Sequence, residues 1–301
     1  MYGSMIYVTG GTGYVGTSVC RAIQAKGQMV TAVSRTKSRR PVIETGGRIE
    51  FRTGDVSDPG SLERVIKSDA GAVVHLVGII FPSKGQTFEK VHVEGTRNAI
   101  EAAKKAGAKR FLHMSALGAR VDGRTPYQRT KGQAEELVRA SGLDWTIFRP
   151  SIIFGEHDDF VNRFAAMARY LPFMPVIGSG KTKMQPIWVE DVAAAFAHAL
   201  SDERTIGQTY ELCGPRPMTI LEILDVVMRT TGKKRPKLHI PTPIMSLQAG
   251  FLEKLFAKPP VTRDQIKMLG EDNVCGSAVS GLTEIFPLKM LTLEEGARYY
   301  L

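Results

Sequence analysis

The chain has 301 residues, of which 43% are hydrophobic and 23% charged, the balance of a globular protein with a sizeable core in one large or two ordinary domains. No basic-then-apolar leader precedes the first strand, and no apolar run approaches the roughly 20 residues that span a bilayer, so a secreted or membrane-spanning protein is not expected and the reading is cytoplasmic. The formal charge of +10 admits an anionic ligand, a membrane surface or nucleic acid, but the excess gathers at 35–40 and 229–237 with no nucleic-acid motif nearby, so both clusters read as solvated loops and no nucleic-acid partner is expected.

In chain order, short apolar runs alternate with helical stretches. Strands are expected at MIYVTG (5–10), MVTAVS (29–34), RIEFRTG (48–54), AVVHLVG (72–78), RFLHMS (110–115) and WTIFRP (145–150). They are nearly continuously apolar, as strands covered on both faces must be. Between them, 86–106 carries Val91, Val93, Ala99, Ile100 and Ala103 at helical spacing and ends at Gly107. The alternation predicts an α/β fold, a Rossmann-type doubly wound parallel sheet over 1–150. Beyond Arg149-Pro150 the pattern loosens into a smaller C-terminal region over 151–301, with 181–205 expected to return to the first domain. Helices are expected at about 160–171, 189–200, 219–232 and 243–256. The last has apolar residues at helical spacing; packing onto the domain is preferred to contact with a membrane. Cys20, Cys213 and Cys275 show no CxxC spacing and read as reduced thiols. The six histidines show no metal-ligand spacing.

The stretch VTGGTGYVG places Gly10, Gly13 and Gly16 after the first strand and at the opening of a helix. A dinucleotide site needs a tight turn, close approach of backbone to pyrophosphate and close packing of helix on sheet, and glycine permits each. The helix amino terminus offers free N–H groups and the positive end of its dipole to phosphate. Gly10, Thr12, Gly13, Tyr14, Val15 and Gly16 are therefore the expected cofactor loop. At the end of strand two, where a carboxylate would hold the ribose 2′-hydroxyl of NAD, the chain reads Ser34-Arg35-Thr36-Lys37. A hydroxyl and a guanidinium fork suit a 2′-phosphate, so NADP(H) is the expected cofactor, with NAD(H) as the alternative. The run GSGKT (178–182) imitates a phosphate loop, but Pro175 stands where that motif needs glycine.

With VTGGTGYVG, GDVSD (54–58), VHVEGTRNAIEAAKKAGAKRFLHMSALGA (91–119), YQRTK (127–131), RPSIIFGEHD (149–158) and PIWVEDVAAA (186–195), the chain resembles the short-chain dehydrogenase/reductases over roughly residues 5 to 230. It looks most like their extended, epimerase-type branch. Within it, the chain is similar to the atypical group that contains the nucleotide-binding accessory subunit of mitochondrial respiratory complex I and bacterial relatives. The resemblance implies cofactor contacts from Asp55 and Val56 near the adenine and from Leu76, Val77 and Gly78 along the ribose and nicotinamide. The segment after Arg149-Pro150 would reach over the nicotinamide, with Pro150 in contact. Tyr127, Lys131 and Ser115 are the implied catalytic residues.

This sequence departs from that pattern at two places. His92 stands where extended enzymes carry asparagine, and Ala116 where their serine lies, with Ser115 one place early. The tetrad is half present. Tyr127 and Lys131, four apart, share a helix face. A nearby ammonium favours a phenolate over the ordinary phenol pKa of about 10, which would ready Tyr127 for proton exchange with a carbonyl or alcohol. Ser115 is read either as orienting substrate or as capping a turn, and His92 as a buried hydrogen-bonded histidine. His157 and Asp158 read as solvated loop in preference to substrate contacts. Two readings stand. One is an NADP(H)-dependent oxidoreductase or epimerase-like enzyme acting on a small molecule. The other is a non-catalytic NADPH-binding accessory protein, for which peripheral membrane or protein-complex contact is allowed but not favoured.

Overall fold

The computed structural model describes residues 5–35, 49–83, 85–256, 261–276 and 280–301, apart from the side chains of Lys254 and Ser280. Thr36 and the rest of the basic run to Arg40 lie outside the described residues.

The first half runs β1 (Met5–Thr9), α1 (Tyr14–Ala25), β2 (Val30–Ser34), β3 (Ile49–Thr53), α2 (Pro59–Val65), β4 (Ala70–His75), α3 (Gly95–Lys105), β5 (Arg110–Met114), α4 (Pro126–Arg139) and β6 (Asp144–Pro150). The second half runs β7 (Ile153–Phe154), α5 (Val161–Tyr170), β8 (Met174–Ile177), β9 (Lys183–Met184), β10 (Ile187–Trp188), α6 (Val189–Ala199), β11 (Gln208–Leu212), β12 (Met218–Thr219) and α7 (Ile220–Thr230). It closes with β13 (Lys237–Ile240), α8 (Thr242–Leu255), α9 (Arg263–Met268), α10 (Ser280–Ile285) and α11 (Leu293–Ala297).

Seven parallel strands form one sheet in the order β11-β6-β5-β4-β1-β2-β3. The six expected strands are all in it. The seventh, β11, comes from beyond residue 200 and pairs with β6, from Gln208 beside Thr146 to Leu212 beside Pro150. Strand order reverses between β1 and β4, and a doubly wound sheet opens its binding crevice at the carboxyl ends of the strands at that point.

Each face is covered by its own apolar layer. Val15, Val19 and Ile23 of α1 and Val192, Ala195 and Phe196 of α6 pack over Ile6, Val8 and Val74. On the other face Leu62 of α2, Ala99 and Ala103 of α3 and Val138 of α4 cover Tyr7, Val73, Phe111 and Ile147. A third cluster joins Val161 and Ala165 of α5 to Ile223, Val226 and Val227 of α7 and to Leu293.

Three expectations change. The helix expected over 86–106 is not uniform: Glu89–Glu94 is a π-helical turn, in which the Gly95 N–H reaches back to the Lys90 carbonyl, and the regular α-helix begins at Gly95. The cysteines are not all reduced thiols, because Cys213 and Cys275 form a disulfide and Cys20 alone is free and buried; the cytoplasmic reading loses that ground. Finally, α8 packs inward by Met245 and Ala249 only, against Ile177, Ile240 and Ile266, while Ile244, Leu247, Phe251 and Leu255 face out.

Candidate active site

The glycine loop owes its shape to one left-handed residue and two close approaches. Gly10 has φ +75°, the left-handed region that glycine enters freely. A Cβ on Gly11 would lie 2.8 Å from the Ala32 Cβ, so the loop sits hard on β2. A Cβ on Gly16 would lie 2.1 Å from the Gly10 carbonyl oxygen, so α1 can pack here only without one. Gly13, the cap residue of α1, differs: its φ of −73° suits any residue, and an added Cβ would meet only the Gly10 carbonyl, at 3.1 Å. No side chain caps α1, so its first N–H groups are left for a phosphate. This cradle fits a pyrophosphate.

Around it stand the other expected cofactor residues. Thr12 and Val15 belong to the loop and the first turn of α1, and Val15 is buried in the core layer beneath. The Tyr14 hydroxyl is buried without a hydrogen bond and lies 2.8 Å from where a Gly155 Cβ would be, so the loop after β7 rests on the glycine loop. Ser34 ends β2 and Arg35 is exposed just beyond it. Asp55 accepts the Ser57 N–H at 2.8 Å, and the buried Val56 offers its carbonyl to Asn98 at 2.8 Å. Leu76, Val77 and Gly78 follow β4 across the crevice, and Val77 Cγ2 is 3.2 Å from the position of a Gly10 Cβ. Pro150 ends β6, where its carbonyl accepts the Leu117 N–H at 2.9 Å.

The start of α4 is built by its sequence. Thr125 caps the helix and exchanges hydrogen bonds with Gln128 in a capping box, and Pro126 occupies the first turn, where no N–H is needed. Tyr127 and Lys131 are thereby set on one face. Lys131 is 3% exposed, its ammonium donates to the Met114 carbonyl at 3.0 Å, and a Cβ on Gly78 would be 3.0 Å from Nζ. The half-buried Tyr127 ring stands edge-on to His92, with centroids 5.5 Å apart, and to Phe88 at 5.9 Å. Among the described residues its hydroxyl makes no hydrogen bond.

The electrostatics reverse one expectation. Burial pushes the Tyr127 phenol up to about 12, and the lysine does not draw it down. Burial lowers the Lys131 ammonium to about 8, partly opposed by Glu135. Burial raises Glu135, but Arg149, which grips it through two hydrogen bonds of 2.7 and 2.6 Å, together with Ser115 and Arg139, holds it below the usual carboxylate range.

His92 takes the place of the family's asparagine as a fully satisfied side chain. Its Nδ1 is 2.9 Å from the Thr130 hydroxyl, and its Nε2 lies 3.1 Å from both the N and the O of Ile79. Burial first, and the Lys131 charge second, hold it at about 2, so it is neutral. His75 and His113, stacked at 5.5 Å in the layer beneath, are neutral for the same reasons.

Ser115 is not brought to the phenol. Side chains alternate along a strand, so Ser115 projects on the same side as His113, beneath α4. There the buried hydroxyl is near enough to Glu135 to help lower its pKa, yet it makes no hydrogen bond of good geometry. It caps no turn. Asp158 is neither solvated nor substrate-facing: it is 3% exposed and accepts N–H groups from Gly155 and Phe160 and the hydroxyl of Tyr300. His157 is exposed, at φ 77°.

A strap from the C-terminal region, which the sequence did not reveal, completes the rim. Glu271 accepts from Gln128, the neighbour of Tyr127, at 3.1 Å and pairs with Arg120 and Arg124. Asn273 accepts the Ser151 hydroxyl at 2.6 Å, and the disulfide from Cys275 ties the strap to the end of β11. The strap's own residues Glu271, Asn273 and Cys275 belong to no motif.

A Rossmann sheet with a glycine cradle at its switch point and a Tyr-Lys pair across the crevice defines a class, the nucleotide-dependent short-chain dehydrogenases and epimerases. The chain belongs to the NAD dependent epimerase/dehydratase family, whose profile matches residues 6–213. It is 30% identical over 270 residues to the mitochondrial NADH-ubiquinone oxidoreductase 40 kDa subunit of Neurospora crassa, covering 89% of this chain and 71% of that one. It is 31% identical over 258 residues to a ceramide reductase of Caulobacter vibrioides, covering 82% and 77%. Its fold matches that of a dTDP-glucose 4,6-dehydratase from Streptomyces venezuelae, solved with NAD and DAU bound, at a TM-score of 0.78 over 98% of this chain and 96% of that one, with 18% identity.

Proposed function

We propose that the chain is an NADP(H)-dependent oxidoreductase that reduces a carbonyl of a small molecule, with Tyr127 as the proton donor. The observation that carries this reading is the Tyr127–Lys131 pair at the crevice, with the lysine anchored on the Met114 carbonyl beside Gly78 and the phenol held neutral. The bound dinucleotide would supply the hydride. The chain's own residues do the rest. Gly10, Gly13 and Gly16 with the α1 amino terminus cradle the pyrophosphate. Ser34 and Arg35 favour a 2′-phosphate, since no carboxylate follows β2. Lys131 reaches the ribose side at Gly78. As the carbonyl carbon accepts hydride, its oxygen gathers negative charge and takes the Tyr127 proton. A phenol at about 12 stays protonated throughout the physiological range, the form that donates in carbonyl reduction.

The test is Tyr127→Phe. It keeps the ring between His92 and Phe88, so fold and NADPH affinity should hold while carbonyl reduction falls about 10²–10⁴-fold. Turnover at the wild-type rate would remove Tyr127 from the chemistry. Fluorescence titration should show NADPH binding about tenfold more tightly than NADH, the difference vanishing in Arg35→Ala; equal affinities in the wild type would refute the NADP(H) assignment.

A second reading is supported by Ala116, which stands where the family's serine lies, by Ser115, whose hydroxyl lies against Glu135, and by the relative named as a subunit of NADH-ubiquinone oxidoreductase. In it, the same cradle holds NADPH as a structural ligand. Retained NADPH that no carbonyl substrate oxidises would favour it.

A further inference from the structure

We propose that α8 and the basic segment before it form a docking surface for an anionic lipid bilayer, on which the protein lies without crossing it. The helix has two faces about 120° apart at 100° per residue. One is Met245 and Ala249, seated on Ile177, Ile240 and Ile266. The other is Ile244, Leu247, Phe251 and Leu255, spaced three, four and four residues apart and 58%, 80%, 67% and 63% exposed. Single exposed apolar side chains are ordinary, but four in a row along one helix mark a surface that something else covers.

Charge identifies the occupant. Between residues 229 and 267 the chain carries nine Lys and Arg against two Asp and Glu, an excess of seven within a chain total of +10. None of these charges falls between 238 and 252, so the apolar half of α8 is flanked by cations on both sides. Several are already paired: Arg229 with Glu294, Lys237 with Asp225 and Arg263 with Glu253. Lys233 and Lys234 are exposed and make no ion pair among the described residues. They precede β13, whose four residues, about 13 Å long, lead straight into α8. An uncharged apolar stripe bordered by basic residues is the pattern of a helix lying in a headgroup layer, its apolar side sunk about 5–10 Å and its cations on anionic lipid. A second copy suits the face less well, because it would bring two such excesses of positive charge together. No helix among the described residues is long and apolar enough to cross a membrane.

The experiment is sedimentation of the full chain with sucrose-loaded vesicles of phosphatidylcholine alone or with about one third phosphatidylglycerol, at low and high salt. Binding to the anionic vesicles, weakened by salt, is expected. Leu247→Glu with Phe251→Glu should lower it more than tenfold and Lys233→Glu with Lys234→Glu several-fold, at unchanged melting temperature. In a separate arm, Phe251→Trp should be quenched by brominated lipid in anionic vesicles. No binding by the wild type, undiminished binding by the Leu247/Phe251 variant, or a tryptophan that brominated lipid leaves unquenched would each overturn the proposal. So would a wild-type dimer that the same variant converts to monomer, since the face would then belong to a second copy.

Discussion

Lys131 carries more of the site than its motif suggests. It shares a layer with His75, His92 and His113, and its charge helps to keep all three imidazoles neutral. Burial has lowered it from the usual 10.5 to about 8, so between those values the unfolded chain binds a proton that the folded chain does not. Stability attributable to this residue must therefore rise with pH across that window. Urea unfolding of the wild type and Lys131→Met, at about pH 7 and about pH 9.5, should show the wild type gaining roughly 2 kcal/mol relative to the variant. A difference that shrinks or stays flat would mean the ammonium is not desolvated. Sequence spacing gave the pairing of Tyr127 with Lys131. It missed the direction of the phenol shift, because that depends on burial by Phe88 and His92, residues 35 or more positions away. Ser115 shows the same limit from the other side: its identity is plain in the sequence, but the strand face it occupies depends on where β5 begins to alternate.

At the scale of elements, the glycine loop yields two opposite expectations from one motif. Gly13→Val should leave the fold intact, since φ suits any residue and the Gly10 carbonyl, 3.1 Å from an added Cβ, need give only a few tenths of an ångström, and should abolish NADPH binding by filling the cradle. Gly16→Ala should instead lower the melting temperature, because α1 must move off the Gly10 carbonyl to admit a Cβ. A Gly13→Val chain that bound NADPH normally would place the phosphates elsewhere. The five inner strands were legible because burial on both faces demands continuous apolar runs. β11 was not: QTYEL is an edge strand, polar and half-exposed along most of its length, and joins β6 only once the chain has returned. The π-helical turn was equally hidden, since Val91 and Val93 satisfy a helical pattern whichever way the hydrogen bonds run.

For the whole molecule, the disulfide is the largest departure from what composition suggested. Cysteines 62 residues apart offer no spacing signal, and only the fold shows that Cys213 at the end of β11 meets Cys275 on the strap. Closing a loop of that length is worth about 4 kcal/mol in the chain-entropy account, so Cys213→Ser, or reduction of the wild type, should lower unfolding free energy by that order. Equilibrium denaturation with and without reductant measures it; unchanged stability would show that the strap is held by Glu271 and Asn273 without the covalent tie.

The π-helical turn at 89–94 has a consequence of a different kind, for how this chain can change length. A π turn holds one residue more than the α-helix that would replace it. Losing one of those six residues would let the helix wind regularly, with the turns on either side keeping their relative positions. Gaining a residue at the same point has no such regular alternative. Insertion and deletion are therefore unequal here: the stretch that seats the phenol can be shortened into a regular helix, but a further residue finds no regular turn to join.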